Sequence, residues 1–342
     1  MTDIWNRLKT EEKPILLYGT GNGADKILSE LAKYDIEISG VFASSGFVRD
    51  RVFRGFKVMS LEEAEEVFSD FTALFSFGSN RPEVIDNIKR IMVRHTLLAP
   101  EVPVCDGEVF NLEYAKKHSE ELYKAYELLA DEQSKKVFKE TTLFKLDGDI
   151  SRLFACGTEE DEAFNGILKL KAGDSFLDLG AYNGDTVLDF IKRVGSYEHI
   201  TAVEPDKKSF AKLIKNTEGF NIETINAAIS SEVGSIPFSF KASRGSVSGG
   251  DSFIDAVSID FLCKDSSFDY IKFDVEGKEL DAILGGVKTI KRDKPKMLIS
   301  AYHKSADYFE IPLKVNEFNP DYKIYMRHYP YVPAWDTNFY FV

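Results

Sequence analysis

At 342 residues, with 44% hydrophobic and 29% charged content, the chain has the composition of an ordinary soluble protein and is longer than one hydrophobic core usually serves, so two domains are expected. A net charge of -13 and a pI near 5.0 argue against a nucleic-acid binder, which needs a basic surface to exchange for counterions. The opening "MTDIWNRLKTEEKP" lacks the apolar core of a signal peptide, and no stretch is long and apolar enough to span a bilayer, which predicts a cytoplasmic protein.

In chain order, "PILLYGTGNGADKILSELAKY" reads as a short apolar strand, a glycine turn and an amphipathic helix with Ile27, Leu28, Leu31 and Tyr34 at helical spacing. "EISGVFASS" and "FTALFSFGSN" are two further strand candidates, and "RPEVIDNIKRIM" is the helix after the second. Such units predict a smaller Rossmann-like α/β domain over residues 1–100. From Leu112 to Phe138 the chain is rich in Lys, Glu, Ala and Leu and carries no strand signal, which predicts a mostly helical linker over 101–165. "KAGDSFLDLG" then restarts an alternation that continues through "HITAVEPD", "IETINAAIS", "FDYIKFDVEG" and "KPKMLISAYH". The final "YKIYMRHY" and "NFYFV" predict an antiparallel pair closing the sheet of a domain over 166–342. Cys105, Cys156 and Cys263 are far apart, odd in number and in no metal-ligand spacing, and so read as buried thiols.

Two glycine loops carry opposite electrostatics. In the first, Gly19, Gly21 and Ala24 fit the dinucleotide fingerprint, in which glycines let backbone amides approach a pyrophosphate at a helix N-terminus. The ribose-holding acid that should follow the second strand is absent, since "GVFASSG" offers only Ala43, Ser44 and Ser45. A tight turn needing positive φ explains the same glycines. Arg49, Arg51 and Arg54 nearby are candidate phosphate ligands or plain solvated arginines. The second loop, "DLGAYNGDT", places Tyr182 where a backbone should come closest to a pyrophosphate and Asp185 where the fingerprint has a further glycine or alanine. A carboxylate there repels a diphosphate and suits a ligand that is cationic at this point, with its own carboxylate reaching the helix N-terminus. S-adenosylmethionine has that charge pattern. Its ribose needs a clamp, and "AVEPD" supplies Glu204 at the end of the next strand, about twenty residues beyond Gly184.

The runs "DLGAYNGDT", "AVEPD", "NAAIS", "VSIDF", "YIKFDVEGKELDAILGG" and "PKMLISAYH", in that order, resemble the FkbM family of S-adenosylmethionine-dependent methyltransferases over about the last half of the chain. The resemblance implies a class I methyltransferase, a Rossmann-like seven-stranded sheet with an antiparallel end. It implies S-adenosyl-L-methionine as cofactor, with Asp178, Gly180, Tyr182, Gly184, Asp185 and Thr186 at its methionine end, Glu204 at the ribose, and Asn226 and Ala227 near the adenine. Many such proteins methylate hydroxyls of sugars or natural products. The N-terminal segment loosely resembles nucleotide-sugar-binding domains of sugar-modifying enzymes.

Three charged residues at the C-terminal end of a central parallel strand mark the crevice where open α/β sheets bind ligands. In "YIKFDVEGKE" the side chains of Lys272, Asp274 and Glu276 alternate with Ile271, Phe273 and Val275. Asp274 is the expected neighbour of the transferring methyl and acceptor oxygen, with Lys272 and Glu276 positioning it or the substrate; a strand-ordering ion pair through Lys272 is the plainer reading. Glu279 is expected in the first turn of the next helix. His303, after "KMLISA", is the rival general base or a structural hydrogen-bonder. Arg327 and His328 are candidates to bind an anionic acceptor or to pair with carboxylates. Asp274, Glu276 and His303 are plausible metal-ligand types, but no contiguous spacing argues for a metal. "ASRGSVSGGDS" (242–252) reads as a loop over the acceptor or a solvated linker.

These readings converge on a methyltransferase that methylates an oxygen of a small molecule, sugar or glycan, with homo-oligomerisation left open. The alternatives are a nucleotide-sugar or NAD-dependent oxidoreductase using the N-terminal loop, and a non-catalytic S-adenosylmethionine-binding scaffold.

Overall fold

Runs of four or five apolar residues that end in glycine or a small polar residue become strands covered on both faces, and they build two parallel sheets in a computed structural model that describes residues 2–44, 46, 48, 51–105, 107–238 and 252–342. The first sheet contains β1 (Ile15–Tyr18), β2 (Gly40–Phe42), β3 (Val52–Phe53), β4 (Phe56–Met59), β5 (Thr72–Phe75) and β6 (Thr96–Leu98) in the order β3-β4-β2-β1-β5-β6. All pairings are parallel except β3 with β4. Every residue of β1 and β5 is buried, and the helix Asn22–Lys33 lays Ala24, Ile27 and Leu31 on the sheet. The sequence pattern had marked β1, β2 and β5. The two-residue β3, the partly exposed β4 and β6, which follows its helix after one residue, lack a legible signal.

Between the sheets lie the helices Leu112–Lys117, Ser119–Glu127, Glu132–Asp147 and Ser151–Cys156, as the composition of this stretch implies. The longest starts at Asp131, whose carboxylate accepts from the Ser134 amide at 2.7 Å, and stops at Gly148 with φ of 69°. Among the described residues, no helix is long and apolar enough to cross a membrane.

The second sheet holds β7 (Phe176–Leu179), β8 (Ile200–Val203) and β9 (Glu223–Ile225). A smaller sheet interposes β10 (Ala228–Ile229), β11 (Gly234–Phe238) and β12 (Ser252–Val257), and the main sheet resumes with β13 (Tyr270–Phe273), β14 (Lys296–Ser300), β15 (Ile324–His328) and β16 (Thr337–Phe341). Its order is β15-β16-β14-β13-β7-β8-β9, with β16 antiparallel to both neighbours. This is the expected seven-stranded sheet with an antiparallel end. "IETINAAIS" is not one strand: its first part becomes β9 and its second β10, in the separate three-stranded sheet. The segment 242–251 of the predicted loop lies outside the described residues, as do Ser45 and Arg49.

Candidate active site

The strand order reverses between β7 and β13, so the chain leaving β7 and the chain leaving β13 part there and open a crevice. Gly180, φ 85°, follows β7 so closely against β13 that an added Cβ would stand 1.9 Å from the Asp274 carbonyl oxygen. Tyr182 takes the left-handed region at φ 47° and leaves its ring half exposed. Gly184, φ 85°, turns into the helix Asp185–Val194, whose first residue, Asp185, is exposed. The Tyr182 amide donates to Glu204 Oε2 at 2.8 Å, and the Asp206 amide donates to Oε1 at 2.7 Å. Burial nevertheless dominates and pushes the Glu204 carboxyl up to about 7. Asn226 donates to the carbonyls of Glu204 and Pro205 at 2.8 and 3.0 Å and pins this turn, with buried Ala227 beside it.

Beneath the loop, Asp178 is wholly buried. Thr186 Oγ1 donates to its Oδ2, while Oδ1 has no hydrogen-bond partner among the described residues and stands 3.6 Å from Lys272 Nζ. Lys272 pairs across the register with Asp178 and lies 3.6 Å from Asp274 Oδ2 as well. Burial works against the Lys272 ammonium, yet Asp178 and Asp274 outweigh it and raise its pKa. The strand ends at Phe273, and Glu276 sits in the left-handed region at φ 52°. The alternation expected through Glu276 therefore stops at the strand end.

His303 is fully buried and is surrounded by carboxylates. Its Nδ1 lies 2.9 Å from Glu279 Oε1, without hydrogen-bond alignment, and its Nε2 lies 3.5 Å from both Asp274 Oδ1 and Glu276 Oε2. Burial disfavours the imidazolium, but Glu279 first, then Asp274 and Glu276, hold its pKa at about 9. Glu279 opens the helix Glu279–Leu284 as expected, and its Oε1 accepts from the Val275 amide at 3.0 Å, but it is completely buried rather than solvated. Asp307, which accepts from the Lys304 amide at 2.7 Å, is raised to about 7 by burial and by Glu279.

Asp274 is the member of this cluster that reaches a cleft, of about 180 Å³, which it lines with Tyr302, Tyr331, Trp335 and Asp336. Tyr302 donates its hydroxyl to Asp274 Oδ1 at 3.0 Å, and the Tyr331 and Trp335 rings stack at 6.0 Å. The first sheet backs this wall. Ser79, after β5, exchanges backbone hydrogen bonds of 2.9 and 3.0 Å with Val332, and Gly78 lies so close that a Cβ there would be 2.2 Å from the Trp335 ring. A second tie runs from the helix after the N-terminal glycine loop: Lys26 donates to the carbonyls of Pro103 and Val104, and Cys105 Sγ then donates to the Glu276 carbonyl at 3.1 Å.

Sequence reasoning missed Glu279 as the partner of His303 and missed Tyr302, Tyr331, Trp335 and Asp336. The signal for the last three was the aromatic, proline-flanked "YPYVPAWD" between two strands. Arg327 does not face the cleft: it is buried against Asp131 and Glu162 at 2.7 and 2.8 Å. His328 is buried on Thr337, and desolvation takes its pKa down to about 4. In the N-terminal loop, Gly19 and Gly23 pack against the residues after β5; their Cβ atoms would meet Ser76 at 2.6 and 2.2 Å. A Cβ at Gly21 would meet no described atom within 4 Å. Close packing thus accounts for two of the three glycines there.

The reversed strand order, the glycine loop after β7 and the acid ending β8 define a class I methyltransferase fold. Residues 178–332 match the family model for the methyltransferase FkbM domain, and that C-terminal part of the chain is an S-adenosylmethionine-dependent methyltransferase domain. The crystal structure of methyltransferase FkbM from Methylobacillus flagellatus KT superposes with a TM-score of 0.75 at 21% identity, covering 96% of this chain and 90% of that one, and so shares the fold of both sheets. Aeropyrum pernix fibrillarin with natively bound S-adenosyl-L-methionine matches more remotely, with a TM-score of 0.33, 17% identity and coverage of 52% of this chain and 70% of that chain. An S-adenosylmethionine-dependent methyltransferase from Thiobacillus denitrificans in complex with S-adenosyl-L-homocysteine has a TM-score of 0.27, 15% identity and coverage of 42% and 48%. No curated protein matches the chain.

S-adenosylmethionine is the cofactor, and the loop has features that fit it. Gly180 and Gly184 let the loop pack tightly on the Asp274 carbonyl and on Leu213 and Thr217, its Tyr182 and Asp185 stay exposed, and Glu204 offers a buried carboxylate with capacity left for hydroxyl donors.

Proposed function

We propose that the protein transfers a methyl group to a hydroxyl oxygen of a sugar, glycan or other small molecule. The observation that carries this reading is Asp274, whose backbone carbonyl abuts the glycine loop at Gly180 and whose side chain lines a cleft walled by stacked Tyr331 and Trp335. Aromatic faces suit the apolar C–H faces of a sugar ring, and Asp336 beside them suits its hydroxyls.

When bound, S-adenosylmethionine supplies a sulfonium-borne methyl whose C–S electron pair leaves with sulfur as the O–CH3 bond forms. Asp178, Gly180, Tyr182, Asp185 and Thr186 shape the loop for its methionine end, Glu204 accepts from its ribose, and Asn226 and Ala227 border its base. Asp274 takes the proton of the acceptor hydroxyl, and Tyr302 and Lys272 hold that carboxylate in place. His303 is a positioning residue rather than the base, since no open path reaches its ring and Asp274 stands between it and the cleft. The division into residues 1–100, 101–165 and 166–342 belongs to the same reading, with the N-terminal domain buttressing the aromatic wall through Gly78 and Ser79.

The test is S-adenosylhomocysteine release over a panel of sugars and small alcohols, with the methylated atom located by mass spectrometry and NMR. Asp274→Asn is expected to lower turnover by about 100-fold or more while Trp335→Ala mainly raises KM. Methylation at nitrogen or carbon, or full turnover by Asp274→Asn, would overturn the proposal.

A further inference from the structure

We infer that Asp274, Glu279 and His303 form a site for one divalent cation of the Mn2+ type beside the acceptor cleft. These three side chains offer two carboxylates and an imidazole whose ligand atoms all lie within 4.8 Å of one another. Ligands bonded at about 2.1–2.2 Å to one octahedral ion stand roughly 3 Å apart when adjacent and roughly 4.3 Å apart when opposite. A spread of at most 4.8 Å puts the three groups within reach of one ion after modest side-chain movement.

A second observation points inward. His303 and Glu279 are both wholly buried, yet neither ring nitrogen of His303 nor Glu279 Oε2 has a hydrogen-bond partner among the described residues. Buried polar atoms are nearly always satisfied, and unsatisfied atoms on two adjoining, wholly buried side chains, Glu279 Oε2 and a ring nitrogen of His303, point to a missing electrophile. The 3.5 Å spacing of His303 Nε2 from Asp274 Oδ1 and Glu276 Oε2 is too long for N–H···O bonds and close to the edge of a coordination polyhedron. Charge agrees: Lys272 is shared between Asp178 and Asp274, so Asp274, Glu276 and Glu279 still outnumber the cations that face them, and a dication offsets the excess. Two hard oxygens with one imidazole suit Mn2+ and similar first-row ions better than a thiolate-seeking metal. On the proposed hydroxyl-methylating reading, an ion here would polarise the acceptor hydroxyl and ease its loss of a proton.

The experiment is titration of the chelator-stripped full-length chain with MnCl2, followed by calorimetry and by the electron paramagnetic resonance of free Mn2+. S-adenosylhomocysteine binding is measured on the same samples. One Mn2+ per chain is expected, with affinity at least tenfold weaker in Glu279→Gln and His303→Gln. Glu279→Gln keeps an acceptor for the Val275 amide and should bind S-adenosylhomocysteine like wild type. If either variant loses its circular dichroism spectrum, Asp274→Asn takes its place. Absence of stoichiometric Mn2+ in the folded wild type, or binding unchanged in the variants, overturns the inference and leaves methyl transfer standing when S-adenosylhomocysteine still binds. Failure of S-adenosylhomocysteine to bind the wild type counts instead against the cofactor assignments.

Discussion

If the ribose rests on Glu204 as proposed, cofactor affinity depends on pH. Burial raises its carboxyl to about 7 from an ordinary 4.5, despite the two backbone amides that favour the anion. Ribose hydroxyls donate hydrogen bonds best to the ionised form, so ligand binding pulls the proton off. With a pKa near 7 the group is about nine-tenths ionised at pH 8 and about one-tenth at pH 6. The Kd for S-adenosylhomocysteine, measured by calorimetry, should therefore be about tenfold larger at pH 6 than at pH 8, or ~1.4 kcal/mol. In Glu204→Gln that difference should largely vanish, because the amide does not titrate, and affinity at pH 8 should fall by about tenfold or more. A wild-type affinity that is flat over this window, or a slope that persists in Glu204→Gln, would refute the assignment of the ribose to this carboxylate.

The same group sets a stability trend in the ligand-free chain. Between pH 4.5 and about 7 the folded protein keeps a proton that the unfolded chain has released, so the contribution of Glu204 to stability falls as pH rises through that window; urea midpoints of wild type and Glu204→Gln at pH 5 and pH 7 should diverge in that sense. Gly180→Ala must move the Asp274 carbonyl and hold alanine at φ 85°, a backbone cost of about 1–3 kcal/mol before the clash, and should lower Tm and abolish S-adenosylhomocysteine binding together. Lys145, buried with Glu101 at 2.5 Å, ties the long linker helix to the end of the first sheet. Lys145→Met alone should cost about 3–5 kcal/mol by stranding Glu101, and Lys145→Met with Glu101→Gln should recover much of it in denaturant titrations. Arg327→Ala should destabilise through loss of Asp131 and Glu162 without changing S-adenosylhomocysteine affinity; a changed affinity would return Arg327 to the site.

How much of this was legible depends on distance along the chain. The glycine loop after β7 and the acid that caps it were, because Gly180, Gly184 and Asp185 lie within a few residues of each other and Glu204 one strand–helix unit away, a spacing that parallel α/β geometry fixes. The buried strands were too, because a strand covered on both faces must be apolar throughout, and the antiparallel end followed from two strands with no helix between them. β3, β4 and β6 were not: β3 and β4 are partly exposed and broken by Arg54, Gly55 and Lys57, so no unbroken apolar run marks them, and β6 follows its helix after a single residue.

The acceptor side belongs to tertiary structure. Glu279 reads in sequence as an ordinary acid at a helix start, and only the packing of β13 beside β14 brings it against His303 and denies it water. Arg327 and His328 read in sequence either as ligands of an anion or as partners of carboxylates, and only the fold brings Asp131 and Glu162 onto Arg327 and buries His328 on Thr337. Tyr331 and Trp335 gain their place because Gly78 and Ser79, some 250 residues earlier, press against their loop. Local sequence determined the glycine loop after β7, because one turn and one strand suffice to build it. The cleft beside Asp274 needed contacts between distant segments, which burial and steric fit decide as the chain folds.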